Sequence, residues 1–130
     1  MTAPATAVLV GAGDRGAIYA AYALRHPKRL RIVALAEPIE ERRGRIARLH
    51  GIPDTSAFGS WEELLNRPAM ADGAIIATQD GLHTAPAIRA LEAGYHVLLE
   101  KPMALTEEEC RAIVGAAEAC GRSLCVCHVL

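Results

Sequence analysis

Short apolar runs alternate along this chain with segments whose apolar residues recur every three or four positions, and the alternation continues to its end. Residues 8–10 (Val-Leu-Val), 30–37 (Leu-Arg-Ile-Val-Ala-Leu-Ala-Glu), 74–78 (Ala-Ile-Ile-Ala-Thr), 96–100 (His-Val-Leu-Leu-Glu) and 123–129 (Ser-Leu-Cys-Val-Cys-His-Val) read as strands, near-continuously apolar because both faces are covered. A weaker strand is predicted over 55–58. Helices are predicted over 15–26, 39–50, 60–66 and 83–93, with a last one running from a cap at Thr106 to Gly121. Pro27 stops the first, Gly51 and Gly94 follow the second and fourth, and Ser60 with Glu63 forms a Ser-x-x-Glu cap on the third. In the first helix Ala17, Ala20 and Ala21 stand beside Ile18, Tyr22 and Leu24. In the second, Ile46 and Leu49 are expected to face inward. In the last, Cys110, Ile113, Val114 and Ala117 share one face.

Strands alternating with helices predict an α/β fold, a doubly wound parallel sheet with right-handed crossovers and strand order 3-2-1-4-5-6. No repeat, low-complexity tract or linker interrupts the pattern, so residues 1–130 read as one domain. Ligands of such sheets gather beyond the carboxyl ends of the strands. The candidate residues are therefore those that follow each strand: the loop from Gly11 to Gly16, Glu37, Thr78-Gln79-Asp80 and Glu100-Lys101-Pro102.

The first of these, Gly11-Ala12-Gly13-Asp14-Arg15-Gly16, has the Gly-x-Gly-x-x-Gly spacing that holds a dinucleotide pyrophosphate. Gly11 allows a tight turn, Gly13 lets backbone approach the phosphates, and Gly16 lets the next helix pack closely with its N-terminus aimed at the anion. Within the loop Arg15 offers charge, Ala12 lies between the first two glycines, and Asp14 offers only its backbone N–H. Glu37 stands about 20 residues further on, where an acid accepts the adenosine ribose hydroxyls and repels a 2′-phosphate. That favours NAD, with NADP left open. Arg42 and Arg43 could soften the preference, but they read as the solvated face of a helix. His83, just past a strand end, is placed either to touch the nicotinamide side or simply to start a helix. Glu100 either hydrogen-bonds the cofactor or pairs with a neighbouring cation. His26, His50 and His96 show no partner and read as structural, and Trp61 reads as packing.

Composition narrows the classes. A net charge of −1 argues against a nucleic-acid surface or an anionic-membrane binder, and no leader or spanning segment is visible. The four cysteines, Cys110, Cys120, Cys125 and Cys127, form no Cys-x-x-Cys pair. They are expected to be buried, reduced thiols rather than metal ligands, which suits a cytoplasmic protein.

The strand ends resemble those of the glucose–fructose oxidoreductase / inositol dehydrogenase / rhizopine-catabolism (Gfo/Idh/MocA) family. The residues that carry the likeness are the glycine loop, Glu37-Pro38, Ala77 to His83, and above all Ala90 to Pro102 with Met103-Ala104-Leu105-Thr106 after it. The resemblance covers nearly the whole chain. It implies the N-terminal Rossmann domain of an NAD(P)-dependent oxidoreductase that moves hydride at a carbinol carbon of a sugar, cyclitol or related polyol. It places Lys101, the lysine of Glu-Lys-Pro, beside nicotinamide and substrate, and Thr78 and His83 along the nicotinamide ribose and ring. Gln79-Asp80 stand where most relatives have Pro-Asn. The family's second, α+β domain forms the substrate pocket and builds the usual homo-oligomer. It has no counterpart in these residues, so the chain is expected to be a truncated piece with little or no turnover. Two other readings stay open: a non-catalytic dinucleotide sensor of the same fold, and an S-adenosylmethionine-dependent methyltransferase. The methyltransferase does not account for the full glycine spacing or for Glu-Lys-Pro.

Overall fold

The computed structural model describes residues 3–79 and 82–127. Its strands are β1 (Ala5–Val10), β2 (Leu30–Ala36), β3 (Ala57–Phe58), β4 (Gly73–Ile76), β5 (His96–Glu100) and β6 (Leu124–Cys127). They form one sheet in the order β3-β2-β1-β4-β5-β6, and every neighbouring pair is parallel. This is the doubly wound order expected from the alternation. The direction of winding reverses between β1 and β4, which places the switch point at the glycine loop.

The helices are α1 (Asp14–Arg25), α2 (Glu40–His50), α3 (Trp61–Leu65), α4 (Thr84–Ala93) and α5 (Glu107–Cys120). Alternate strand residues feed two cores. Leu9, Leu35 and Ile75 pack beneath Ala20 and Ala23 of α1 and Ile46 of α2. Val8, Ile76 and Leu99 pack beneath Leu64, Leu91 and Ile113 on the other face. The β1–β2 register shifts once, with Ala7 opposite Ile32 and Val8 opposite Ala34. That shift is why Ile32 and Leu35, three residues apart, reach the same core. Tyr95 is fully buried, and its hydroxyl accepts a hydrogen bond from Met70 N at 3.0 Å, so its polar tip is satisfied.

The helix-end signals act as the sequence suggests. Ser60 Oγ accepts from Glu63 N, and Thr106 Oγ1 accepts from Glu109 N. Left-handed Gly51, Gly94 and Gly121 close α2, α4 and α5. Several boundaries differ. A 3-10 turn at Asp54–Ser56, closed by Ser56 N donating to Pro53 O, takes up the first half of the expected third strand. β2 stops at Ala36 and β4 at Ile76, one and two residues early, because the chain there turns out to build the loops above the sheet. Of the expected last strand, His128 and Val129 lie outside the described residues.

Two inward assignments are corrected. Leu49 is 56% exposed and Val114 is 41% exposed. In α2 only Ile46 and Ala47 are buried, and in α5 only Ile113 and Ala117, so each seam is narrower than the apolar pattern. The cysteines are corrected too. Cys120 and Cys125 are exposed and Cys110 and Cys127 half-buried, all with free thiols. β6 is an edge strand, and the helices on that face lie chiefly over other strands, α1 over β1, β2 and β4 and α2 over β2 and β3. His96, expected to lack a partner, accepts a hydrogen bond from Ser123 N at its Nδ1 (2.9 Å). Burial lowers the pKa of His50 from the usual histidine range. Among the described residues no helix is long and apolar enough to cross a membrane, and no His/Cys/Asp/Glu group is arranged to hold a metal ion.

Gly16 and Gly115 make a matched test of this packing. A Cβ on Gly16 would stand 2.1 Å from Gly11 O, whereas one on Gly115 would meet nothing within 4 Å. Gly16→Ala is expected to destabilise by about 1–3 kcal/mol through overpacking. Gly115→Ala, on the exposed side of α5, should stabilise by about 0.5–1 kcal/mol through helix propensity. Urea unfolding midpoints measure both.

Candidate functional site

The loop after β1 owes its shape to two close approaches. Gly11 takes φ +93°, and a Cβ there would lie 2.6 Å from Ala77 O. Gly16, held against Gly11 O, brings α1 down onto the same loop. Gly13 differs: the nearest atom to a Cβ there would be Arg42 Nη1 at 3.6 Å, so the space above it is open on its other sides. Gly13 is also the N-cap of α1 and has no side chain to cap it. The first N–H groups of α1 have no intrahelical acceptor. The junction is therefore a cradle of bare backbone donors at the positive end of a helix dipole, suited to an anion.

Glu37 is 4% exposed. Its Oε1 accepts from Ala12 N and its Oε2 from Ile39 N, both at 2.8 Å. Its own N–H donates to Phe58 O at 2.9 Å, and its carbonyl accepts from Arg43 Nη1 at 2.7 Å. Arg43 is thus half-buried and engaged with the backbone, which corrects its reading as part of a solvated face. Arg42 is exposed but lies over Gly13. It lines the cleft of about 430 Å³ that Gly11, Gly13, Arg15, Glu37 and Thr78 also line. A second cleft of about 690 Å³ joins it at Gly11, Pro38, Thr78 and Leu82 and continues along Trp61 and Ile88. Its wall is largely apolar.

The remaining candidates sit one strand further along. His83 is fully buried. Its Nε2 lies 2.7 Å from Thr78 O and its Nδ1 2.8 Å from Pro102 O. Both partners are acceptors, so a ring carrying both N–H groups satisfies both and a neutral ring only one. Thr78 Oγ1 donates to Leu82 O at 3.2 Å. Glu100 is 8% exposed and accepts a hydrogen bond from the Tyr19 hydroxyl. Arg15 Nη2 donates to that hydroxyl at 3.1 Å, and Arg15 Nε lies 3.8 Å from Glu100 Oε1. Burial first, and then the bond to Glu100, hold the Tyr19 pKa above its ordinary value; burial does the same for the half-buried Cys127 beside it. Lys101 is exposed, and the Lys101–Pro102 peptide is cis.

The structure thus brings Gly11, Gly13, Asp14, Arg15, Glu37 and Thr78 to one cleft, with Ala12 and Gly16 buried beneath it. Glu100, Lys101 and His83 do not line that cleft. Glu100 adjoins it through Arg15 and His83 through Thr78, while Lys101 follows Glu100 in the chain. Gln79 lines the cleft, and Asp80 lies outside the described residues. Tyr19 was not singled out from the sequence. The available signal was its place on the inward stripe of α1 with Gly16, Ala20 and Ala23, where a phenol needs a polar partner.

A doubly wound parallel sheet with an uncapped glycine cradle at its switch point and a buried acid after β2 defines a dinucleotide-binding domain. The family model described as "Oxidoreductase family, NAD-binding Rossmann fold" (GFO_IDH_MocA) matches residues 5–128, and the chain belongs to that family. The trans-1,2-dihydrobenzene-1,2-diol dehydrogenase of Oryctolagus cuniculus is 40% identical over 90 residues, covering 69% of this chain and 26% of that protein. The WlbA dehydrogenase of Bordetella pertussis, solved with NADH and UDP-GlcNAcA, superposes with a TM-score of 0.87 at 28% identity, over 97% of this chain and 36% of that one. The biliverdin reductase of Synechocystis sp. PCC 6803, solved with biliverdin and NADP+, gives 0.83 at 33% identity, over 96% and 38%. The chain spans about a quarter of the length of the curated relatives it matches.

The double acceptance by Glu37 predicts a structural effect with no ligand present. In Glu37→Gln one of the two backbone N–H groups faces an amide NH₂ or goes unpaired. Stability should fall by about 1–3 kcal/mol, read by urea unfolding of the ligand-free chain.

Proposed function

We propose that this chain is the cofactor-binding half of a nicotinamide-dinucleotide-dependent oxidoreductase acting at a carbinol carbon of a sugar, cyclitol or related polyol. The observation that carries the reading is the open junction at Gly13 with Glu37 buried beside it. When bound, the dinucleotide supplies the hydride acceptor or donor. The residues present fit it. The bare N–H groups at the start of α1 and the Arg42 guanidinium over Gly13 receive the phosphates. Each Glu37 carboxylate oxygen accepts one backbone N–H and keeps a lone pair for a ribose hydroxyl. The apolar cleft past Pro38 and Leu82 takes the adenine ring, with Trp61 in its wall.

Glu37 favours NAD because a 2′-phosphate would stand against a carboxylate. Lys101 manages the substrate hydroxyl. Its nitrogen hydrogen-bonds the oxygen and stabilises developing negative charge; as the free amine it takes the hydroxyl proton when the alcohol is oxidised, and as the ammonium it returns one when the carbonyl is reduced. The substrate pocket is assigned to a further domain outside these 130 residues, so the chain alone turns over little or nothing. Cytoplasmic placement and homo-oligomeric assembly belong to the same reading, and the free thiols fit a reducing compartment.

Trp61 is the single tryptophan, so its emission reports occupancy of the apolar cleft. NADH is expected to quench it, to bind at least about tenfold more tightly than NADPH, and to resist displacement by S-adenosylmethionine. Tighter NADPH binding would overturn the Glu37 assignment, and sulfonium binding without NADH binding would overturn the whole reading. In the protein carrying the substrate domain, Lys101→Ala should lower kcat by about 10²- to 10⁴-fold with NADH affinity kept. Unchanged turnover would remove Lys101 from the chemistry.

A further inference from the structure

The hydroxyl of Tyr19 is an interaction that the glycine loop does not require. α1 meets the sheet through Gly16, Ala20 and Ala23, and a phenylalanine at position 19 would fill the same space as the tyrosine ring. The hydroxyl instead donates to Glu100 Oε2, 81 positions away, at the last residue of β5. Glu100 is 8% exposed, and a buried carboxylate is held only where donors reach it. Its other contact, Arg15 Nε at 3.8 Å, comes from the same helix. Arg15 also donates to the Tyr19 oxygen, leaving the phenol proton directed to Glu100. Among the described residues the Cys127 thiol also faces this cluster, and burial raises its pKa.

We infer that Tyr19 is a positioning residue for the nicotinamide end of the site, its hydroxyl tying the phosphate-binding helix α1 to the strand end that carries Lys101. The inference rests on the dinucleotide reading above. α1 holds the phosphates, and the next residue after Glu100 is the lysine set beside the nicotinamide. A bond between α1 and Glu100 therefore sets how far the Lys101 backbone stands from a dinucleotide anchored at Gly13. A packing role alone makes a different prediction, because it would affect both halves of the ligand alike.

The test titrates the 130-residue chain with NADH and, separately, with ADP-ribose, which lacks the nicotinamide ring. Tyr19→Phe should weaken NADH about tenfold, equivalent to about 1.4 kcal/mol, and leave ADP-ribose within about twofold. Glu100→Gln should show the same split, which keeps the question open to test should Tyr19→Phe fold poorly. The double variant should be no weaker than the worse single one, since both remove one link. Equal weakening of both ligands, no change in either, or additive losses would each overturn the role of Tyr19. If the unmodified chain binds neither ligand, the dinucleotide reading itself fails and this inference fails with it.

Discussion

The site depends on one buried carboxylate. Glu37 takes the N–H of Ala12 on one oxygen and that of Ile39 on the other, while its own backbone is held by Phe58 and Arg43. Four pieces of chain meet at this residue: the loop after β1, the end of β2, β3 and the entry to α2. Ala12 is fully buried, and without an acceptor its N–H would cost about 1–3 kcal/mol. With the N–H of Ala12 turned inward, the loop presents its remaining donors above Gly13. The acid proposed to hold the ribose is also what shapes the glycine loop, so on that reading binding and folding share one side chain.

The layers of the molecule follow from local pattern. Apolar runs of strand length and the Pro27, Ser60, Thr106, Gly51 and Gly94 signals each act over a few residues, and a sequence reports such signals directly. The glycine loop is legible for the same reason: Gly11 and Gly16 meet each other within one turn of chain. What stayed hidden is long-range and polar. Tyr19 finds Glu100 across 81 positions, His83 finds Pro102 across 19, and Arg43 finds its carbonyl only once β2 has ended at Ala36. No periodicity encodes such pairings, because a tyrosine or histidine on a helix gives the same pattern whichever strand end it reaches.

The cysteines fail for a related reason. Alternation along β6 tells which residues share a face, not whether a helix covers it. Cys125 lies opposite Leu98, and Leu98 opposite Ile75, so the three continue one line across the sheet. Ile75 is 6% exposed, Leu98 is half-buried and Cys125 is exposed. Burial thus falls off along a single row as the helix layer of α1 and α2 is left behind. A burial assignment made from the strand alone is an assumption about its neighbours.

Lys101 shows how an exposed side chain can sit on a held backbone. It is exposed, and its residue lies in neither a strand nor a helix. Yet the residue before it is held by Tyr19 from one helix layer, and the carbonyl after it faces His83 from the other. Preorganisation of a reacting group needs its backbone placed to within a fraction of an ångström, and two pins from opposite faces restrict rotation where one would leave a hinge. Both pins act on the residues flanking Lys101, so on the proposed reading its backbone is placed while the exposed ammonium stays open to a substrate oxygen. The glycine loop and the backbone at Lys101 are therefore related through α1 and the sheet, which meet at Tyr19 and Glu100.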